Sequence, residues 1–193
     1  HARIKVFSPT LEADGWSARR TVIQVLSRDM PFLVGSLMGE LNRREVDIHS
    51  IHSTVVRTSR GEDGRLLDFK GRHAPAPDFA EESLVYLEIS RNTDARFLAD
   101  LSSSISTLLE EVAVVVDNWA PIAEQGRSAY DELQQCAPQG AGSTAALEFL
   151  QWMVANHFTF LGYQTLELTG QATARRLQCR AGSALGLTSL GYG

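Results

Sequence analysis

The fold is decided by the stretch Arg20-Thr-Val-Ile-Gln-Val-Leu-Ser-Arg-Asp-Met-Pro-Phe-Leu-Val-Gly-Ser-Leu-Met-Gly-Glu-Leu-Asn-Arg-Arg-Glu-Val-Asp-Ile-His-Ser-Ile-His52. Thr21–Ser27 is a short run rich in β-branched residues, the composition of a buried or half-buried strand. Asp29 and Pro31 follow with helix-start chemistry, an aspartate to cap and a proline tolerated in the first turn. Leu33, Leu37 and Leu41 recur at i, i+4 and i+8, with Val34 and Met38 in the same stripe, so the helix has an apolar face to bury. Val46–Val56 returns to strand composition. The stretch therefore reads as β-α-β with very short connections.

On the upstream side, Ile4–Trp16 mixes apolar residues with Ser-Pro and Asp-Gly turn signals and reads as an extended lead-in, with Trp16 packed on the edge of the first strand. Downstream, Arg57–Glu82 is polar and interrupted by Gly61, Gly64, Gly71, Pro75 and Pro77. Arg65–Phe69 is expected to pair back as a short strand across the Gly61–Gly64 turn, and Lys70–Glu82 has the composition of a mobile loop. The basic residues Arg65, Lys70, Arg72 and His73 are read as solvated loop charges in preference to an anion site. Ser83–Ser90 alternates as a third strand. Asn92, Thr93 and Asp94 are helix-capping residues, and Leu98, Leu101, Ile105, Leu108 and Val112 form the seam of a second helix. Val112–Val116 is expected to be a fourth strand. The resulting βαββαβ order predicts an α+β, ferredoxin-like antiparallel sheet with both helices on one face. The other face is expected to be uncovered and apolar, because Val22, Ile23, Val25, Val55 and Val114 cannot all point to the helices.

Asp117–Pro121 opens a further helix with a thin apolar face of Ile122, Ala129 and Leu133. Cys136–Ser143 is a linker of small residues, which places one domain at 1–136 and a second at 137–193. Ser143 or Thr144 is expected to cap a helix carrying Leu147, Leu150, Met153 and Val154. His157–Leu168 is aromatic and β-rich, Gly170-Gln171 makes a turn, and Ala174–Cys179 pairs back as a hairpin. The glycine-rich end, Ala181–Gly193, closes no element, so the second domain is expected to be truncated. A start at His1 in place of Met predicts a fragment or a processed product.

Composition narrows the function classes. Of 193 residues, 44% are hydrophobic and 21% charged, ordinary for a globular chain. The net charge of -5 argues against a nucleic-acid-binding surface. No apolar run is long enough to cross a bilayer, and no secretory leader is evident. Cys136 and Cys179 lack metal-ligand spacing, and free thiols in a reducing cytoplasm are the favoured reading over a disulfide.

Asp29-Met-Pro-Phe-Leu-Val34, followed by leucines at helical spacing and an isoleucine after a short turn, resembles the opening of an ACT domain, a small ligand-sensing module of metabolic enzymes. The same residues running into Glu40-Leu-Asn-Arg-Arg44, with Trp16 upstream and His157-Phe-Thr-Phe-Leu-Gly-Tyr163 after Trp152, resemble the N-terminal region of the large bacterial NAD-specific glutamate dehydrogenases. These motifs span Trp16 to Tyr163. The resemblance implies a cytoplasmic regulatory and assembly region, self-associating and acting on a catalytic region elsewhere in a longer chain. That parent would deaminate glutamate oxidatively to 2-oxoglutarate with NAD. The resemblance further implies an amino-acid effector bound in the loop between first strand and first helix, here Arg28, Asp29, Met30, Phe32, Leu33 and Gly35. ACT domains that bind ligand carry a glycine after the proline; here Phe32 stands there and glycine comes at Gly35, where aspartate is expected. A structural oligomerisation module without ligand is therefore the alternative.

The remaining residues offer no catalytic constellation. Gly140-Ala-Gly-Ser-Thr-Ala145 fits a dinucleotide fingerprint in letters, but helix tail and breaker precede it where a parallel strand is required, so no cofactor is expected in this segment. His49 and His52, three apart on a strand, point to opposite faces and lack a metal-spaced partner. His157 is expected to be packed beside Trp152 and Phe158. Glu81-Glu82 and Glu110-Glu111 are adjacent in sequence, so their side chains diverge.

Overall fold

A computed structural model of the chain describes residues 2–136, 140–170 and 175–191. The chain divides into two compact units, His1–Val112 and Ala113–Gly193. The linker expected at Cys136–Ser143 and the turn at Gly170-Gln171 fall partly outside the described residues.

The first unit is built on a five-stranded antiparallel sheet. Its strands are β1 (Arg3–Phe7), β2 (Arg20–Arg28), β3 (Ile48–Arg60), β4 (Leu66–Gly71) and β5 (Ala80–Ser90), in the order β1-β2-β5-β3-β4. Register aligns Thr21, Ile23, Val25 and Ser27 of β2 with Ile89, Leu87, Val85 and Ser83 of β5, and all eight side chains are buried. The period of two along a strand puts them on one face. Helices α2 (Leu33–Arg43) and α3 (Ala95–Asp117) cover that face, α2 through Leu33, Leu37 and Leu41 and α3 through Leu101, Ile105 and Leu109. The expected β-α-β unit and the expected strand at Arg65–Phe69 are both present. Lys70–Glu82 is not one loop, because its ends extend β4 and β5 and leave only residues 72–79 between them.

Two expectations about the sheet are corrected. Val112–Val116 is not a strand but the last turns of α3, which runs unbroken for 23 residues. No glycine, proline or capping residue interrupts Thr107–Asp117, and the edge position beside β2 is already taken by β1, formed from the supposed lead-in. A β-branched run then follows its neighbours into the helix, since tertiary context overrides weak propensity. Nor is the open face an apolar patch. Ile23 and Val25 lie on the helix side, and Val22 is fully buried opposite Phe7 of β1. Trp16 meets the Phe7 ring edge-on at 6.2 Å, beyond the short helix α1 (Leu11–Asp14), and Lys5 Nζ sits 3.8 Å from the centre of Phe7. Gln24, Tyr86, Glu88 and His52 make much of the remaining face polar.

Polar contacts fix the junctions. Buried Thr21 receives the backbone N–H of Asn92 at 2.8 Å and shares the Asn92 carbonyl with Ser8 Oγ, tying the end of β1 to the start of α3. Asp94 caps α3 by accepting from the Arg96 N–H at 2.9 Å, as the capping cluster predicts. At the other end of α2, the Val46 N–H bonds the Leu41 carbonyl and the Glu45 N–H bonds that of Asn42. This is the Schellman termination, with Glu45 at φ 56° in the left-handed position usually given to glycine.

In the second unit, α4 (Trp119–Cys136) buries Ile122 and Gly126, and α5 (Ala141–Trp152) begins at Gly140. Ser143 and Thr144 therefore lie inside the first turn of α5 and do not cap it; the Thr144 hydroxyl bonds the Gly140 carbonyl instead. A kinked turn, Met153–His157, follows, with Asn156 in the left-handed region at φ 65°. β7 (Leu166–Thr169) pairs with β8 (Arg176–Cys179) as the expected hairpin, and β6 (Gly162–Tyr163) pairs with β9 (Leu185–Gly186). Cys136 and Cys179 are free thiols and exposed.

Two substitutions test these backbone requirements in opposite directions. Glu45→Gly should raise stability by about 1 kcal/mol, because the left-handed conformation strains any residue with a Cβ; urea unfolding measures it. Gly186 (φ 62°) has its Cβ position 2.4 Å from the Leu161 carbonyl oxygen and 2.9 Å from Ile122 Cδ1. Gly186→Ala should therefore cost more than about 2 kcal/mol, seen as early loss of the second unit's transition in calorimetry.

Candidate functional site

The loop singled out by sequence joins β2 to α2. Its residues do different things. The Asp29 N–H donates to the Glu81 carbonyl at 2.9 Å, and Ser83 Oγ donates to Asp29 Oδ1 at 2.5 Å. Asp29 thus pins the loop to β5. It is not the helix cap, because a carboxylate committed to Ser83 is turned away from the first turn of α2. The capping position falls to Phe32, which has φ 68° and supplies no side-chain bond to the helix. Phe32 holds the left-handed backbone that glycine would adopt there, and its ring is 56% exposed, so it does not fill the loop. Met30 and Leu33 are buried and anchor the loop in the core. A Cβ at Gly35 would meet nothing within 4 Å, so this position is open. The backbone amides at the start of α2, with the positive end of the helix dipole, are suited to a carboxylate.

Arg28 ends β2 opposite Glu82 and belongs to a second feature. On the uncovered face a cavity of about 400 Å³ is lined by Arg3, Leu26, Arg28, Arg60, Gly64 and Glu82, among others. Arg60 grips Glu82 with both arms of its guanidinium, at 2.7 and 2.8 Å. That pairing holds the Glu82 carboxyl below its ordinary range. Arg60 Nη1 and Arg3 Nη2 both donate to the Gly64 carbonyl, at 3.0 and 3.1 Å. Of the six residues expected in the site, this cavity includes Arg28 alone; Arg3, Arg60 and Glu82 carried no sequence signal.

A third cluster joins the two helices. Glu40 on α2 accepts from Arg43 at 2.8 and 2.9 Å, from Arg44 at 2.6 Å and from Ser104 Oγ of α3 at 2.5 Å, and Arg44 continues to Asp100 at 2.6 Å. The Arg43 bonds, with help from Ser104 and Arg44 and against the effect of burial, lower the Glu40 carboxyl from 4.5 to about 2. The histidines are accounted for locally. His49 Nε2 meets Ser90 Oγ at 3.0 Å, His52 lies beside Tyr86, and His157 stacks on Trp152 at 5.5 Å. His157 is exposed, so it is stacked without being buried. Among the described residues, no group of three or more His, Cys, Asp and Glu is placed to hold a metal ion.

A split β-α-β with β5 paired between β2 and β3, and two helices on one face, defines the first unit as an ACT-like α+β domain. Residues 1–105 match the family described as glutamate dehydrogenase, ACT1 domain, and the chain belongs to that family. It is 35% identical over 191 residues to the NAD-specific glutamate dehydrogenase of Halomonas elongata, and 34% identical over 189 residues to that of Pseudomonas aeruginosa. Each alignment takes in 97% of this chain and 12% of the relative, so the chain spans a small part of these proteins' length. The nicotinamide cofactor in the relatives' name does not fit Gly140–Ala145, since the element before α5 is helix α4 and not a strand that would aim the helix at a pyrophosphate. No described helix is long and apolar enough to cross a membrane.

The Glu40 cluster sets an acid limit on stability. With its carboxyl lowered from 4.5 to about 2, the contribution is complete above 4.5 and is lost as pH falls through about 2. Glu40→Gln should cost about 1.5–3 kcal/mol at neutral pH, as for hydrogen bonds to a charged group, and should flatten the fall in stability across that acid window. Urea unfolding at stepped pH measures both effects.

Proposed function

We propose that this segment is a non-catalytic regulatory and assembly region of an NAD-dependent glutamate dehydrogenase. Its parent, cytoplasmic, oxidises glutamate to 2-oxoglutarate and ammonia with reduction of NAD, using a catalytic region outside these residues. The observation that carries the reading is the family match over residues 1–105, which coincides with the ACT-like unit, within relatives eight times as long or more. In this reading the β2–α2 loop senses an amino acid. The effector carboxylate meets the first-turn amides of α2 beside exposed Phe32, and open Gly35 leaves room for it. Met30 and Leu33 hold the loop in place, and Arg28 adds positive charge at its start.

A second reading, assembly without a ligand, is favoured by the edge strand β4. Leu66, Leu67 and Phe69 are 50%, 68% and 63% exposed on the outermost strand, the kind of edge that pairs with another chain. In that case the segment joins subunits by extending the sheet.

A thermal-shift screen over the common amino acids separates the two readings. A sensing loop predicts a rise with at least one amino acid, about 2.7 kcal/mol of added stability at a hundredfold excess over Kd, abolished by Gly35→Asp. No rise with any amino acid, together with a dimer by light scattering that Phe69→Lys converts to monomer, assigns the segment to assembly alone.

A further inference from the structure

We propose that the free edge of β4 is a self-recognition surface. Two copies of the chain pair their β4 strands antiparallel about a two-fold axis at Phe69, with Asp68 of each copy facing Lys70 of the other. The proposal rests on the assembly reading above and deepens it, naming the partner as a second copy and fixing the register.

Symmetry leaves few registers. Identical antiparallel strands related by a two-fold axis must set one residue directly opposite itself, and β4 offers only Leu66–Gly71. The ladder with β3 shifts register between Ser59 and Arg60, facing Leu66 and Asp68, so an axis at Leu66 or Leu67 falls where the strand is irregular. An axis at Asp68 sets carboxylate against carboxylate, and one at Lys70 sets ammonium against ammonium. An axis at Gly71 sets Lys70 against Arg72. Like charges directly opposite each other are destabilising. Phe69 remains. There Asp68 and Lys70, one on each side of the axis, meet their opposites twice over, since the axis repeats every contact.

The side chains of the edge suit such a neighbour. β4 is the outermost strand, and Leu66, Leu67 and Phe69 are exposed on it. Phe69 and Gly71 share one face and Asp68 and Lys70 the other. Two Phe69 rings therefore meet at the axis, an aromatic pair that contributes beyond its buried area. A Cβ at Gly71 would meet nothing within 4 Å, so the partner's Leu67, opposite it, finds open space. Lys70 is steadied by the Phe79 ring, whose centre lies 4.8 Å from Nζ. In the single chain the Phe69 N–H donates to the Asp68 carboxylate at 2.8 Å. In the pair that carboxylate turns to the partner's Lys70, which releases the Phe69 N–H to the partner's Phe69 carbonyl. Asp68 thus covers the edge until a complementary strand arrives, and a strand without a cation at that place has nothing to draw it off.

The test is sedimentation equilibrium of the 193-residue chain and of charge variants, with circular dichroism confirming the fold of each. A dimer that weakens as sodium chloride rises is expected. Asp68→Lys and Lys70→Asp should each weaken it about tenfold or more, because every changed charge acts twice across the axis. The doubly reversed chain, Asp68→Lys with Lys70→Asp, should recover the dimer. Mixing the two single variants should give a heterodimer, since an all-positive edge then faces an all-negative one. A dimer whose affinity is unchanged in both single variants, or is lost in them and not recovered in the doubly reversed chain, overturns this register and leaves the assembly reading standing. A chain that stays monomeric up to about 1 mM overturns both.

Discussion

The pairing of β2 with β5 at the centre of the sheet is the constraint from which the rest of the first unit follows. Ile23 opposite Leu87 and Val25 opposite Val85 are fully buried, and each such side chain contributes about 1.5–3 kcal/mol when removed from water. Both α2 and α3 must lay their leucine rows on this one ridge, which places the Glu40 cluster between them. Polar pairs close the ridge at its two ends: Thr21 holds Asn92 at one, and Ser83 holds Asp29 at the other. The loop before α2 therefore takes its position from the sheet and not from the helix it precedes.

That dependence explains what the sequence disclosed. The β2-α2-β3 unit, the β4 return, β5 and the β7–β8 hairpin were legible because each is encoded by local periodicity and turn chemistry. Val112–Val116 was not, because a β-branched run satisfies a buried strand and a buried helix equally well. What separates them is whether a sheet edge is vacant, and β1 had taken it from a stretch whose own pattern was too short to read. Asp29 was misassigned for a similar reason: Asp before a Pro-led helix is cap chemistry, but the partner that captured it, Ser83, lies 54 residues on. The uncovered face was expected to be apolar from residue type alone, whereas register sends Ile23 and Val25 to the other side.

The candidate sites divide along the same line. The β2–α2 loop could be found because its residues are contiguous. The arginine cavity could not, since Arg3 and Gly64 are 61 residues apart and only folding brings them together. An isolated Arg in a strand has no motif. Arg3 opens β1, Arg28 and Arg60 close β2 and β3, and Glu82 follows Glu81 near the start of β5, with no spacing in the sequence that links them.

The origin of the edge strand has a consequence for how the domain assembles. Val6 pairs with Ile23, 17 residues later (23 − 6), so β1 and β2 close a short loop. Had the edge come from Val112, the loop back to Ile23 would have held roughly ninety residues, with an added closure cost of about 1.5 kcal/mol. Drawing the edge from the N-terminal side keeps that pairing local and lowers the contact order of the sheet, which favours rapid folding. It also lets the sheet acquire its full width while the end of α3 is still being synthesised, so an edge that would otherwise stay bare on the ribosome is covered from the start.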